Sequence, residues 1–248
     1  MPNPRLDLSI VIPTYNEAKN VPFLVEEIFG VLSSLPHVDA ELIIVDDNSP
    51  DGTGQIAEAL RGQYSVQVIH RAGKFGLGSA VMEGFRLSTR PYLGVMDADL
   101  SHDPSVLPEM LSRLADHDIV IGSRFDPDSR MEGRWPLSRK TLSLVGVYFA
   151  KLITRVSDPL SGYFFTKREV LKDVELTSPG YKILFEILAK GEYSSVCDVP
   201  FVFRSRRFSS SKLGFKEYAL FAKQVVYLGL PKLRRRRTEP RLGLPSLE

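Results

Sequence analysis

The sequence holds one cysteine, Cys197, among 248 residues. No disulfide can close within the chain, and a reducing compartment is expected. Long apolar runs are missing as well. The longest uncharged stretch, Ile28 to Val38, has 11 residues, against the ~20 that a spanning helix needs. Asn3-Pro4-Arg5 leads directly into a strand-like segment, so no secretory signal is expected. Neither the 18 glycines nor the 17 prolines reach the excess that marks collagenous or disordered chains. No internal repeat is visible.

What is present is globular composition, 43% apolar and 25% charged, at a length fitting one large domain or two small ones. The net charge of +2 conceals a division. Residues 201–248 carry 12 basic and 3 acidic side chains, while residues 1–200 carry 20 and 27. An acidic body with a basic tail points to an anionic surface near the C-terminus, membrane or nucleic acid. The tail lacks interleaved aromatics and the body is acidic, so a nucleic-acid-binding module is the weaker reading.

Apolar runs at 8–12, 41–45, 65–70 and 92–96 alternate with helical patterns near 20–34, 53–62, 77–88 and 105–115. This alternation predicts an α/β fold with a mostly parallel sheet and helices on both faces. Further helices are expected near 138–154 and 214–229. Functional groups in such sheets gather beyond the carboxyl ends of the strands. Those ends are polar here: Thr14-Tyr15-Asn16-Glu17, Asp46-Asp47-Asn48-Ser49 and Asp97-Ala98-Asp99. Acids converging on one rim require a cation or a hydrogen-bonding ligand.

Asp97 and Asp99, one residue apart at a strand end, suit a hard divalent cation that leaves positions for phosphate oxygens. Asp47 could accept hydrogen bonds from a nucleobase, while Asp46 is expected to orient its turn. Gly76-Leu77-Gly78 imitates a dinucleotide fingerprint, but Val81 stands where the third glycine belongs. A tight strand-to-helix turn is the better reading.

The segments Val11 to Glu17, Val45 to Thr53 and Met96 to His102 resemble glycosyltransferase family 2. Further matches are Gly73 to Gly78, Gly122-Ser123-Arg124, Trp135 to Lys140, Asp158 to Tyr163 and Ser211 to Gly214. These bring the chain close to the dolichol-phosphate (polyprenyl-phosphate) mannose synthase branch, over about residues 7–216. The resemblance implies a GT-A fold, Rossmann-like, over residues 1–213. An amphipathic helix at 214–232 and a basic, disordered tail at 233–248 are expected to follow. It also implies inverting transfer of mannose from GDP-mannose to dolichyl or polyprenyl phosphate. A related enzyme moving glucose or another sugar from a UDP-sugar to the same acceptor is the alternative.

Carried over residue by residue, Pro13, Tyr15, Glu17, Val45 and Asp47 line the nucleotide pocket, with Met96 and Ala98 contributing backbone. Asp97 and Asp99 hold Mg²⁺ or Mn²⁺. Arg206 and Lys212 meet the donor diphosphate, and Arg124, Arg139 and Ser143 gather the acceptor phosphate. Ser101 stands where some relatives carry glutamine, and Ser209 where a glycine is usual. Arg204 and Arg207 are additional basic residues.

A phosphate acceptor with second pKa ~6 is largely dianionic at neutral pH and needs no general base. His102 is therefore expected to be structural. Tyr218, Phe221, Ala222, Val225 and Leu228 lie on one helical face, which reads equally as core packing or as an interfacial helix. With Arg234 to Arg237 beyond it, attachment to the cytoplasmic side of a membrane is expected, directly or through an anchoring domain or subunit.

Overall fold

The structure is a computed structural model that describes residues 5–132, 147–148, 150–151, 154, 156–177, 182–208, 220 and 223–228. The strands are β1 (Leu6–Thr14), β2 (Val38–Asp46), β3 (Val66–His70), β4 (Tyr92–Val95), β5 (Ile119–Ser123), β6 (Arg130–Met131), β7 (Phe164–Lys167), β8 (Val196–Pro200) and β9 (Val202–Phe203). The helices are α1 (Val21–Leu32), α2 (Thr53–Ala59), α3 (Leu77–Leu87), α4 (Leu107–Leu114) and α5 (Ile183–Lys190).

Seven strands form one sheet in the order β3-β2-β1-β4-β7-β5-β8, and β6 pairs with β9 separately. The first four are mutually parallel. β7 enters antiparallel to both neighbours, and β8 runs parallel to β5. The carboxyl ends of β1 to β5 therefore share one rim, together with the turn that feeds β7.

β1 lies inside the sheet because Leu8, Ile10, Val11 and Ile12 are buried, on a strand whose successive side chains alternate between faces. Leu8, Ile10 and Ile12 join the core with α1 and α4. Val11 joins the opposite core with α3 and α5. Each such side chain contributes roughly 1.5–3 kcal/mol by leaving water. The polar exception, Ser9, bonds Glu41 Oε1 at 2.6 Å and Ser88 Oγ at 2.7 Å, so its burial leaves no orphan.

At Gly76 the chain has φ +96° and opens α3. This left-handed turn explains the glycine that the dinucleotide reading would have claimed. The described part of the expected C-terminal helix, 223–228, is helical. Val225 and Leu228 pack with Phe185 and Ala189 of α5, so this part of the expected apolar face packs on the body. Val226 and Tyr227 are the exposed apolar residues there. Tyr218, Phe221 and Ala222, with the boundaries proposed for the helix and tail, lie outside the described residues.

Candidate active site

Three strand ends build the rim. Beyond β2, Asp46 orients its turn: it accepts Ser49 N–H at 3.0 Å and Ser49 O–H at 2.5 Å, and Thr14 O–H at 3.1 Å. Asp47, beside it, is buried and already engaged. One oxygen accepts Arg71, and the other accepts the amides of Phe75 at 3.1 Å and Gly76 at 2.8 Å. Arg71 also donates to Ser79 Oγ at 2.9 Å and lies against the Phe75 ring. The carboxylate expected to face a nucleobase thus also holds the loop that enters α3.

Beyond β1, the Lys74 ammonium sits 4.1 Å from the Tyr15 ring centroid, a cation–π geometry. Glu17 is buried; its amide donates to Thr53 Oγ1 at 2.9 Å and its carboxylate accepts Asn20 Nδ2 at 2.5 Å. Pro13 pairs in register with Val45 on β2, which is fully buried. The β1 and β2 residues expected at the nucleotide pocket therefore share one edge of the rim.

Beyond β4 lie Met96, Asp97, Ala98 and Asp99. Leu100 follows with φ +64°, a conformation that costs a branched side chain on the order of 1–2 kcal/mol. Its consequence is local. Ser101 folds back so that its amide and hydroxyl donate to Asp99 Oδ1 at 3.0 and 2.5 Å. Arg206 Nε meets Asp99 Oδ2 at 2.5 Å. Burial alone would raise the Asp99 pKa, but Arg206 and Ser101 outweigh it and hold the carboxyl low.

Asp97 differs. Burial is the main cause that pushes its carboxyl up, and the Asp99 charge adds to it. The Asp97 amide donates to His102 Nδ1 at 3.0 Å, and His102 Nε2 is 3.7 Å from Asp97 Oδ2. An accepting Nδ1 leaves the proton on Nε2, facing the carboxylate. Burial lowers the His102 pKa, and its ring stacks on Tyr163 at 5.0 Å. His102 is thus a neutral support for Asp97. Gly162 closes the far side, because a Cβ there would lie 3.1–3.3 Å from the Asp97 carboxyl atoms.

The donor set fits a hard divalent cation. Two adjacent carboxylates, one destabilised by its neighbour and by burial, are what such an ion relieves. Among the described residues no group of three or more His, Cys, Asp or Glu side chains could hold a metal. The remaining positions fall to ligand oxygens, the usual habit of Mg²⁺.

Arg124 follows β5, as expected, but its fork lies on Asp158: Nε to Oδ2 at 2.7 Å and Nη2 to Oδ1 at 2.9 Å. Asp158 is fully buried. Burial raises its pKa, but Arg124 outweighs this and holds the carboxyl low. Ser161 Oγ donates to Gly122 O at 2.6 Å, so β5 and the 158–162 turn are fixed together beside Asp97. Lys182 Nζ donates to Leu160 O at 2.8 Å, and its charge acts on both Asp97 and Asp158. Sequence patterns did not single out Arg71, Lys182 or the fork on Asp158. A basic residue directly after β3 was the only available signal for Arg71. Arg139, Ser143 and Lys212 lie outside the described residues.

The mostly parallel sheet with one antiparallel insertion and the acidic pair at the end of β4 are those of a glycosyltransferase, and the chain belongs to glycosyl transferase family 2: residues 9–175 match the family model. Within that family it is similar to dolichol-phosphate mannosyltransferases. The Pyrococcus furiosus enzyme is 40% identical over 228 residues, covering 90% of this chain and 64% of the relative. The Saccharomyces cerevisiae enzyme is 34% identical over 232 residues, covering 90% of this chain and 87% of the relative. A Pyrobaculum calidifontis mannosyltransferase, solved in complex with GDP-Man and Mn²⁺, shares the fold. Its TM-score is 0.63 at 20% identity, covering 94% of this chain and 66% of that one.

Proposed function

We propose that the chain transfers mannose from GDP-mannose to dolichyl or another polyprenyl phosphate, inverting the anomeric carbon and releasing GDP. The observation that carries this reading is the meeting of Asp97, Asp99 and Arg206 beyond β4, in a chain similar along most of its length to enzymes that bear this name.

Pro13, Tyr15, Glu17, Val45 and Asp47 receive the nucleotide, with the backbone of Met96 and Ala98. Asp97 and Asp99 hold Mg²⁺ or Mn²⁺, which when bound offsets the charge growing on the departing diphosphate. Arg206 and Lys212 add preorganised positive charge at the same oxygens. Arg139, Ser143 and Arg124 serve the acceptor phosphate, Arg124 from a position locked by Asp158. The acceptor is already anionic, so no side chain has to remove its proton. A neutral, buried His102 agrees with that economy.

The acceptor's lipid tail favours work at the cytoplasmic surface of a membrane. No helix among the described residues is long and apolar enough to cross one. The basic C-terminal segment supports peripheral attachment, alone or through an anchoring domain or subunit.

A donor panel tests the reading: GDP-mannose, UDP-glucose and UDP-galactose, each with polyprenyl phosphate and Mg²⁺ or Mn²⁺. Polyprenyl-phosphate mannose and GDP are expected from the first alone. Glucosyl product from UDP-glucose would transfer the assignment to the related glucosyltransferases.

A further inference from the structure

Both oxygens of Asp99 are engaged, Oδ1 by Ser101 and Oδ2 by Arg206. Arg206 sits on a segment that is anchored on either side of it. Before it, the Arg204 amide donates to Ser101 O at 2.9 Å. Arg204 Nη2 meets Asp103 at 2.7 Å, and its Nη1 meets Glu27 of α1 at 2.8 Å. After it, the Phe208 ring stacks on Phe23 of α1 with centroids 6.0 Å apart. The Arg207 guanidinium lies over both rings, at 5.0 and 5.3 Å. The segment therefore passes from the acidic-pair loop to α1 with Arg206 turned inward.

We propose that Arg206 acts as a resident counter-cation on Asp99 that a divalent ion must displace, and that Arg204 is the positioning residue that fixes the segment while this exchange occurs. The proposal rests on Asp97 and Asp99 being the cation ligands. A guanidinium and a metal ion compete for one oxygen, so the free energy of the Arg206 contact is subtracted from the affinity for the ion alone. A charge-assisted hydrogen bond of this kind weakens binding about tenfold. Once released, Arg206 remains tethered two residues from Arg204. Its charge is then delivered to the diphosphate that arrives with the ion, so ion and donor strengthen each other's binding reciprocally.

Arg204 suits the pivot because one planar fork serves two carboxylates on different elements, which a lysine ammonium cannot copy. Glu27 and Arg204 are 177 residues apart in sequence, so the contact ties the segment after β9 to the first helix.

The test is Mn²⁺ binding to the nucleotide-free full chain, read by loss of the free-ion electron paramagnetic resonance signal. Wild type is compared with Arg206→Gln, Arg204→Gln, Glu27→Gln and Asp99→Asn. Arg206→Gln should bind Mn²⁺ alone about tenfold more tightly. Arg204→Gln and Glu27→Gln should each tighten it two- to threefold and raise the KM for the donor more than they lower kcat. In wild type, GDP should tighten Mn²⁺ more than it does in Arg206→Gln. Unchanged or weaker Mn²⁺ binding by Arg206→Gln would overturn the exchange. Arg204→Gln and Glu27→Gln matching wild type in both readouts would remove the pivot. If Asp99→Asn bound Mn²⁺ as well as wild type, the ligand assignment itself would fail, a result separable from the other two.

Discussion

Asp97 and Asp118 sit at opposite ends of the same sheet, one after β4 and the other before β5, and chemically they are opposites. Asp118 accepts Ser194 N–H at 2.8 Å, Ser195 N–H at 3.1 Å and Lys167 Nζ at 3.0 Å, with both serine hydroxyls in addition. The Ser194 amide is the leading cause that, against the cost of burial, depresses its pKa strongly. Asp97 faces a neutral imidazole, a second carboxylate and a glycine backbone, and its pKa is raised. The donors gathered on Asp118 hold the fold. Asp97 has few such donors among the described residues, which suits a carboxylate that takes a ligand.

The first prediction removes the other carboxylate of the acidic pair, Asp99, whose oxygens Ser101 and Arg206 hold. Asp99→Asn should reduce turnover roughly 10³-fold, equivalent to ~4 kcal/mol of lost charge stabilisation. Thermal unfolding should stay near wild type. A steady-state assay at saturating Mn²⁺ checks it, and retained turnover would place the cation elsewhere.

Arg124 tests whether a rim residue can belong to the structural class. Its fork on the fully buried Asp158 means that Arg124→Ala leaves an unpaired buried charge, at a cost of about 3 kcal/mol or more. Urea denaturation should show a lower midpoint before any acceptor effect is read. If stability is unchanged while the KM for lipid phosphate rises, the acceptor role stands alone and the structural one falls.

Asp118→Ala should cost about 2 kcal/mol at pH 7 by removing the shared acceptor of Ser194, Ser195 and Lys167, with kcat unchanged. The sign with pH follows from the depressed value. The stabilisation is complete above the unfolded-state pKa near 3.9 and is lost as pH falls through the lower folded-state value. Denaturation midpoints of wild type and variant should therefore converge below about pH 4.

How much of this was legible depended on range in sequence. β1, β2 and β4 declared themselves as continuous apolar runs ending in acids, and Asp97 and Asp99 followed from position. β7 did not, because Phe164–Lys167 is four residues long and its antiparallel partners are strands some seventy and forty-five residues earlier. Arg124 was legible as a rim residue, but its partner was not. Nothing in Gly122-Ser123-Arg124 says that Asp158 will lie beneath it, since an ion pair between residues 34 apart leaves no periodic trace. Arg204 shows the same limit, because composition marks it as one more basic residue in a basic loop.

The smallest expected effect discriminates most finely. Burial and the neighbouring Asp99 charge both push the Asp97 carboxyl up, so without a cation a charge on Asp97 opposes folding. A carboxyl whose folded-state pKa is raised supports the fold below its unfolded value and weakens it as pH rises. Asp97→Asn removes that opposition while keeping the side chain's shape against Gly162 and His102. The variant should melt higher than wild type at pH 7 in chelator, by about 1 kcal/mol, the usual scale when a strained functional group is neutralised. Added Mn²⁺ should raise the melting temperature of wild type and leave the variant where it was. The same comparison on Asp118→Asn should give the reverse order in chelator and the full Mn²⁺ response. A stabilised Asp118→Asn or a destabilised Asp97→Asn would erase the distinction between the two carboxylates, because their environments would then not determine what each is for.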